Sequence, residues 1–189
     1  MQENQYIALL RGINVGGNNI IKMVDLKACF EKLGFTQVTT YIQSGNVFFI
    51  SEEKEKSILA NKIETVLSET FNYKSQLVLI SQKQIEAVIK EAPKGFGSKS
   101  DEFKYDVLFL KDSLSSSEAM EKVNVREGID ESYQGTNVLY FSRITSKAGQ
   151  SYLDKLISNP VYKSMTIRNW NTTSKLDLIM KERVEGPKK

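Results

Sequence analysis

Arg11, Asn14, Gly16, Gly17 and Asn18 fall within nine residues, R-G-I-N-V-G-G-N-N over 11–19, between an apolar strand and a helix. Residues of these types can do one kind of chemistry. Glycine and asparagine reach left-handed backbone easily, so several N–H groups can be turned toward one point, where a guanidinium would help them hold an anion. Lys22, at the start of the helix, adds a cation where the helix dipole already favours negative charge. None of these side chains is an acid, base or metal ligand at neutral pH. The glycine spacing matches neither a dinucleotide-binding fingerprint nor a P-loop. Turn formation also uses glycine and asparagine, so binding and loop-building compete for the same residues.

The chain contains no histidine. That removes histidine-activated serine and cysteine nucleophiles, histidine bases and histidine-ligated zinc. No metal centre and no cofactor are expected. Twenty-six basic and 23 acidic residues leave a net charge of +3, too little to argue for nucleic acid. One cysteine excludes an intramolecular disulfide, and Cys29 sits on the apolar stripe of a helix, where packing is the expected role. No apolar stretch reaches membrane-spanning length and the N-terminus is no signal peptide, so a soluble, cytoplasmic protein is expected.

The elements that position the glycine loop repeat along the chain. Apolar periodicity predicts a strand at 5–11, a helix at 23–33, strands at 36–43 and 46–50, a helix at 54–71, a strand at 74–80 and a helix to about 91. Pro93 to Ser100 reads as linker. The same order then returns: a strand at 105–110, a helix at 115–123, a hairpin at 128–134 and 137–142, a helix at 145–157, a strand at 163–169 and a helix at 172–182. Gln43-x-x-Asn46-Val47 recurs as Gln134-x-x-Asn137-Val138, and Lys74-Ser75 as Lys163-Ser164. The expected fold is therefore α+β: a tandem duplication of two ferredoxin-like, split-βαβ halves with antiparallel sheets, each followed by an extra helix. Residues 1–92 form the first half, 93–103 the linker and 104–189 the second half. Consecutive apolar residues in the inner strands predict burial on both sheet faces.

A duplication lets each half serve as a control for the other. The first strand of the first half leads into Arg11–Asn19, whereas its counterpart leads into the plain Lys111–Ser115. In a split-βαβ half that loop should approach the turn between strands two and three, so Gln43, Ser44 and Asn46 join the expected rim. The fourth strand of the second half leads into a second elaborated segment, with Arg168, Asn169 and Lys175 as polar candidates. Trp170 is read there as a core anchor, and Asn171, Thr172 or Thr173 as the helix cap. Phe48, Phe49, Tyr140 and Phe141 invite comparison with RNA-stacking sheets, but their surroundings lack the basic, glycine-spaced pattern and core packing is expected.

Arg11–Gly17, Tyr41–Val47 and Arg168–Thr172, with Pro93-x-Gly95-Phe96 and Tyr105–Val107, together resemble domain-of-unknown-function family 1697, a mostly bacterial group. The resemblance implies a duplicated ferredoxin-like α+β pair and carries no activity, cofactor or partner. Ile20 stands where relatives often carry a basic residue. The leading expectation is a binding protein for a small polar or phosphate-bearing ligand at the Gly/Asn-rich loop. The alternatives are a histidine-independent enzyme using Arg11, Lys22, Arg168 or Lys175 electrostatically, and a nucleic-acid-binding module. The apolar strand faces also leave room for a homodimer.

Overall fold

Runs such as Ile7-Ala8-Leu9-Leu10 and Val47-Phe48-Phe49-Ile50 have no polar side to turn to water, and they become inner strands with both faces covered. The computed structural model describes residues 4–185. In the first unit, through Gln82, the elements are β1 (Asn4–Leu10), α1 (Met23–Lys32), β2 (Thr36–Tyr41), β3 (Asn46–Ser51), α2 (Lys56–Phe71) and β4 (Leu77–Ser81). The sheet order is β2-β3-β1-β4, with every neighbouring pair antiparallel. Leu26, Cys29 and Phe30 of α1 and Leu59, Ile63 and Leu67 of α2 cover one face, against Tyr6, Ala8, Val47 and Phe49. Phe30, Phe35 and Phe49 form an aromatic cluster at its centre, with ring centroids 4.5–6.0 Å apart. Cys29 is buried there, and burial pushes its thiol pKa up, consistent with a packing role.

The second unit contains β5 (Phe103–Leu110), α4 (Ser116–Lys122), β6 (Asp130–Gly135), β7 (Val138–Ile144), α5 (Leu153–Leu156), β8 (Met165–Asn169) and α6 (Trp170–Glu185). Its sheet order, β6-β7-β5-β8, repeats that of the first, again fully antiparallel. Leu108, Leu139, Phe141 and Met165 meet α4 and α5 in its core. A reciprocal capping box between Ser115 and Glu118 starts α4. The chain is thus α+β, with two four-stranded antiparallel sheets of the same order. No helix among the described residues is long and apolar enough to cross a membrane.

Two features differ from the sequence reading. The helix expected at 145–157 is a 3-10 turn, Thr145–Gln150, followed by the single turn of α5. Ser151 adopts extended backbone between them, and its buried hydroxyl accepts from Leu153 N at 3.1 Å, a local bond that competes with helix continuation. The helix α3 (Gln82–Lys90), read as closing the first half at residue 92, lies almost wholly in the second unit, which starts at Lys83. The reason is visible in its bonds. The buried Tyr140 hydroxyl donates to Val88 O at 2.7 Å, and Thr136 N donates to the Glu91 carboxylate at 3.1 Å. Within 93–103, expected as linker, Phe96 packs edge-on against Tyr105, Tyr140 and Trp170.

Val88 lies in the last turn of α3, where carbonyls have no intrahelical donor, so the Tyr140 hydroxyl fills a real vacancy. Tyr140→Phe should cost about 1–2 kcal/mol in urea unfolding and accelerate amide exchange in α3. An unchanged midpoint would show that the bond contributes nothing.

Candidate functional site

The rim forms from residues that each solve a local problem. Val15-Gly16-Gly17-Asn18 is a tight two-residue hairpin, closed by Asn18 N donating to Val15 O at 3.1 Å. Gly16 and Gly17 both have positive φ, 59° and 78°, as the hairpin turn matched to strand twist requires. Asn14 sits at φ 53° and acts as a three-way clamp. Its Nδ2 donates to Ile21 O at 3.0 Å and to Gln43 O at 2.8 Å, while its Oδ1 accepts from Ile21 N at 2.8 Å. Asn19 Nδ2 donates to Gly12 O at 2.8 Å. Loop 11–19 and the 42–45 turn therefore do meet.

Gly45 completes the fit. A Cβ there would stand 2.6 Å from Ile13 Cδ1 and 2.9 Å from Leu10 Cβ, and its φ of 75° disfavours any side chain. Asn46 is fully buried, its Nδ2 donating to Tyr41 O at 2.9 Å and Ser44 Oγ at 3.1 Å. The carboxamides of Asn14 and Asn46 thus hold the rim together. Gly16, Gly17, Asn18, Lys22 and Gln43 are exposed, and Arg11 is half-buried with its backbone N bonded to Gln76 O.

The sequence reading missed the apolar members of this rim. Val15, Ile20, Val24 and Ile42 are 64%, 77%, 68% and 46% exposed. Ile42 also carries φ 49°, a costly conformation for a β-branched residue. Ile20 is adjacent to the buried Ile21, so sequence alone does not separate the exposed isoleucine from the buried one.

In the second unit, Arg168, Asn169 and Lys175 occupy three different environments. Arg168 is buried on β8, its Nη1 donating to Thr166 Oγ1 at 3.0 Å and Ile167 O at 2.8 Å, and burial pulls its pKa down to about 10. Asn169 caps α6: its Oδ1 accepts from Thr172 N at 2.7 Å, so the cap is Asn169 rather than Asn171, Thr172 or Thr173. Thr173 instead returns its hydroxyl to Asn169 O. Lys175 is exposed on the helix. Trp170 is half-buried beside Gly97 rather than a fully enclosed anchor.

An ion pair that sequence reasoning did not single out lies on the same sheet. Asp106 and Arg143 face the same way from neighbouring strands, 3.2 Å apart, with side chains only 10% and 16% exposed. Arg143 also reaches the exposed Asp154 at 3.8 Å. Burial raises the Asp106 pKa above its ordinary 3.8, opposed by Arg143 and Lys104. Phe48, Phe49, Tyr140 and Phe141, the rings a nucleic-acid platform would need, are all at most 1% exposed.

Two outcomes follow from this geometry. Asn14→Ala removes both donors and the acceptor for Ile21 N, and should lower stability by about 1–3 kcal/mol while speeding exchange of the Ile21 amide. Loss of stability without faster exchange there would refute the clamp. For Asp106, the folded protein binds the proton more tightly than the unfolded chain. Its contribution is therefore complete below about pH 3.8 and is lost as pH rises through the elevated folded pKa. Unfolding free energy measured against pH should show that decline in the natural chain and not in Asp106→Asn.

No curated protein matches the chain. Among solved structures, it is similar to a conserved bacterial protein, SP0830 from Streptococcus pneumoniae, at 28% identity and a TM-score of 0.81, over 95% of this chain and 99% of that one. A protein of unknown role from Galdieria sulphuraria aligns over 89% of this chain and 99% of its own at 10% identity, with a TM-score of 0.28 that carries no structural argument. A family profile described as "Protein of unknown function (DUF1697)" matches residues 3–140. The chain belongs to that family.

Proposed function

We propose that the protein binds a small polar or phosphate-bearing ligand at the Gly/Asn-rich rim of the first unit. The observation that carries this reading is the Asn14 clamp. It fixes the loop against Gln43 and leaves the Gly16-Gly17 tip, Asn18 and Lys22 at the surface. Little entropy would then be lost on binding, because the loop is already ordered by its own bonds. Arg11 and Lys22 supply the positive charge, and Lys22 precedes the first turn of α1, where the dipole adds to it. The second elaborated segment offers less, since Arg168 is buried and Asn169 is occupied as a cap.

We also read the two halves as a duplicated ferredoxin-like pair. The shared strand order and the β-α-β-β-α-β succession of the first unit support this. In the second unit the position of the second helix is taken by 3-10 turns and α5.

A thermal-shift screen of nucleotides and phosphorylated metabolites tests the binding reading. A ligand at a hundredfold excess over its dissociation constant stabilises the native state by about 2.7 kcal/mol. Arg11→Ala should abolish the shift and Lys22→Gln should reduce it. A shift of the same size in both variants would place binding elsewhere.

A further inference from the structure

On the face of the second sheet turned away from α4 and α5, strand register gathers one set of side chains. Tyr105 on β5 lies opposite Ser142 on β7, and Ser142 lies opposite Glu131 on β6, so the three form a row. Phe103 and Tyr133 share that face, two residues along their strands from Tyr105 and Glu131. The segment after α3 crosses the same face, where Phe96 stands edge-on to Tyr105 at 4.8 Å and to Tyr140 at 5.4 Å. Between this segment and the sheet is a cavity of about 250 Å³. Phe96, the row and its two aromatic neighbours line it, together with the exposed Lys94 and Lys99. The matching row of the first unit, Gln5, Ile50 and Thr36, has neither a ring nor a carboxylate.

The lining offers three kinds of contact on this one face. Phe96, Phe103 and Tyr105 are half-buried and packed together, with the Phe103 and Tyr105 ring centroids 6.1 Å apart, so an aromatic surface is already assembled. Such rings hold a nucleobase by stacking. Tyr133 Oη donates to Glu131 Oε2 at 2.8 Å, which steadies the carboxylate and leaves its other oxygen to accept from an amino group. Lys94 and Lys99 supply positive charge. Lys99 Nζ is 3.8 Å from Glu102, but the two side chains are 63% and 65% exposed, and so weak a pair yields to a phosphate. The volume is below that of most whole-ligand pockets, which suits one base with its phosphate outside at the lysines. A net charge of +3 does not favour a polyanion.

We infer that this cavity binds a mononucleotide whose base carries an exocyclic amino group. Phe96, Phe103 and Tyr105 cover the base, Glu131 accepts from the amine, and Lys94 with Lys99 holds the phosphate. The site lies within the second unit and does not depend on the rim at Arg11.

Calorimetric titration with matched nucleotides tests this. AMP and IMP differ by an amino group replaced with a carbonyl, as do CMP and UMP; ribose 5-phosphate has the phosphate and no base. AMP or CMP should bind at least about fivefold tighter than its carbonyl partner and about tenfold tighter than ribose 5-phosphate. Glu131→Thr, which matches the first unit at that row, should bring the pair within about twofold of each other. The melting temperature should change little, since Glu131 and Tyr133 are exposed on the outer strand β6. Joint Lys94→Gln and Lys99→Gln substitution should weaken the nucleotide and leave the corresponding nucleoside unaffected. The same preference in Arg11→Ala separates this site from the rim. The proposal is overturned by no binding of AMP or CMP, by equal affinity within both pairs, or by a preference that survives Glu131→Thr. Indifference to the joint lysine substitution, or loss of binding in Arg11→Ala, would overturn it equally.

Discussion

Burial of both faces of the inner strands is the constraint from which the rest follows. Five consecutive residues of β1, Tyr6 to Leu10, are buried, as are all six of β3. A polar side chain on such a strand must find its partner inside the protein, as Asn46 does. Polar function is therefore driven to strand ends and connections. The rim in the first unit is built from such places: the exit of β1, the start of α1 and the turn between β2 and β3. In the second unit the same pressure explains Asp106 and Arg143. They sit on central strands, and each tolerates burial by facing the other.

The parts legible in the sequence are those set by local rules. Unbroken apolar runs marked the inner strands, and the 3.6-residue spacing of Leu26, Cys29, Phe30 and Leu33 marked α1. The approach of loop 11–19 to the 43–46 turn was also legible, because it follows from strand order. What escaped depends on contacts across the chain. Nothing near Asp106 in sequence announces Arg143; the pairing arises from the β5–β7 register. The break at Ser151 escaped because a buried serine hydroxyl replaces a helix bond, whereas its neighbours satisfy the helical pattern. The assignment of α3 to the first half failed to anticipate Tyr140, whose hydroxyl reaches across from β7.

Loop-building and ligand-binding draw on the same residue types, and the structure divides the labour. Asn14, Asn19 and Asn46 spend their amides on backbone carbonyls of the loop and turn. Gly45 is required by sterics, since Ile13 and Leu10 occupy the space a Cβ would need. Gly16 and Gly17 differ: a Cβ at either would meet nothing closer than 3.8 Å, and only their backbone angles demand glycine. They form an uncluttered tip on a braced base. A comparable brace operates around Trp170, where Phe96 and Gly97 determine how the indole lies.

Ile42 carries a different implication. Most non-glycine residues of this chain with left-handed backbone are asparagines, which tolerate it, but Ile42 is branched at Cβ and nearly half exposed. Glycine at that position would relax the backbone, at the loss of the apolar surface that Ile42 does bury. Ile42 is thus a strained, partly exposed apolar residue at the turn that meets the loop. Where natural proteins accept tension of this sort, it commonly sits beside the surface they use. The outer edge of the first unit is thus marked by its own discomfort.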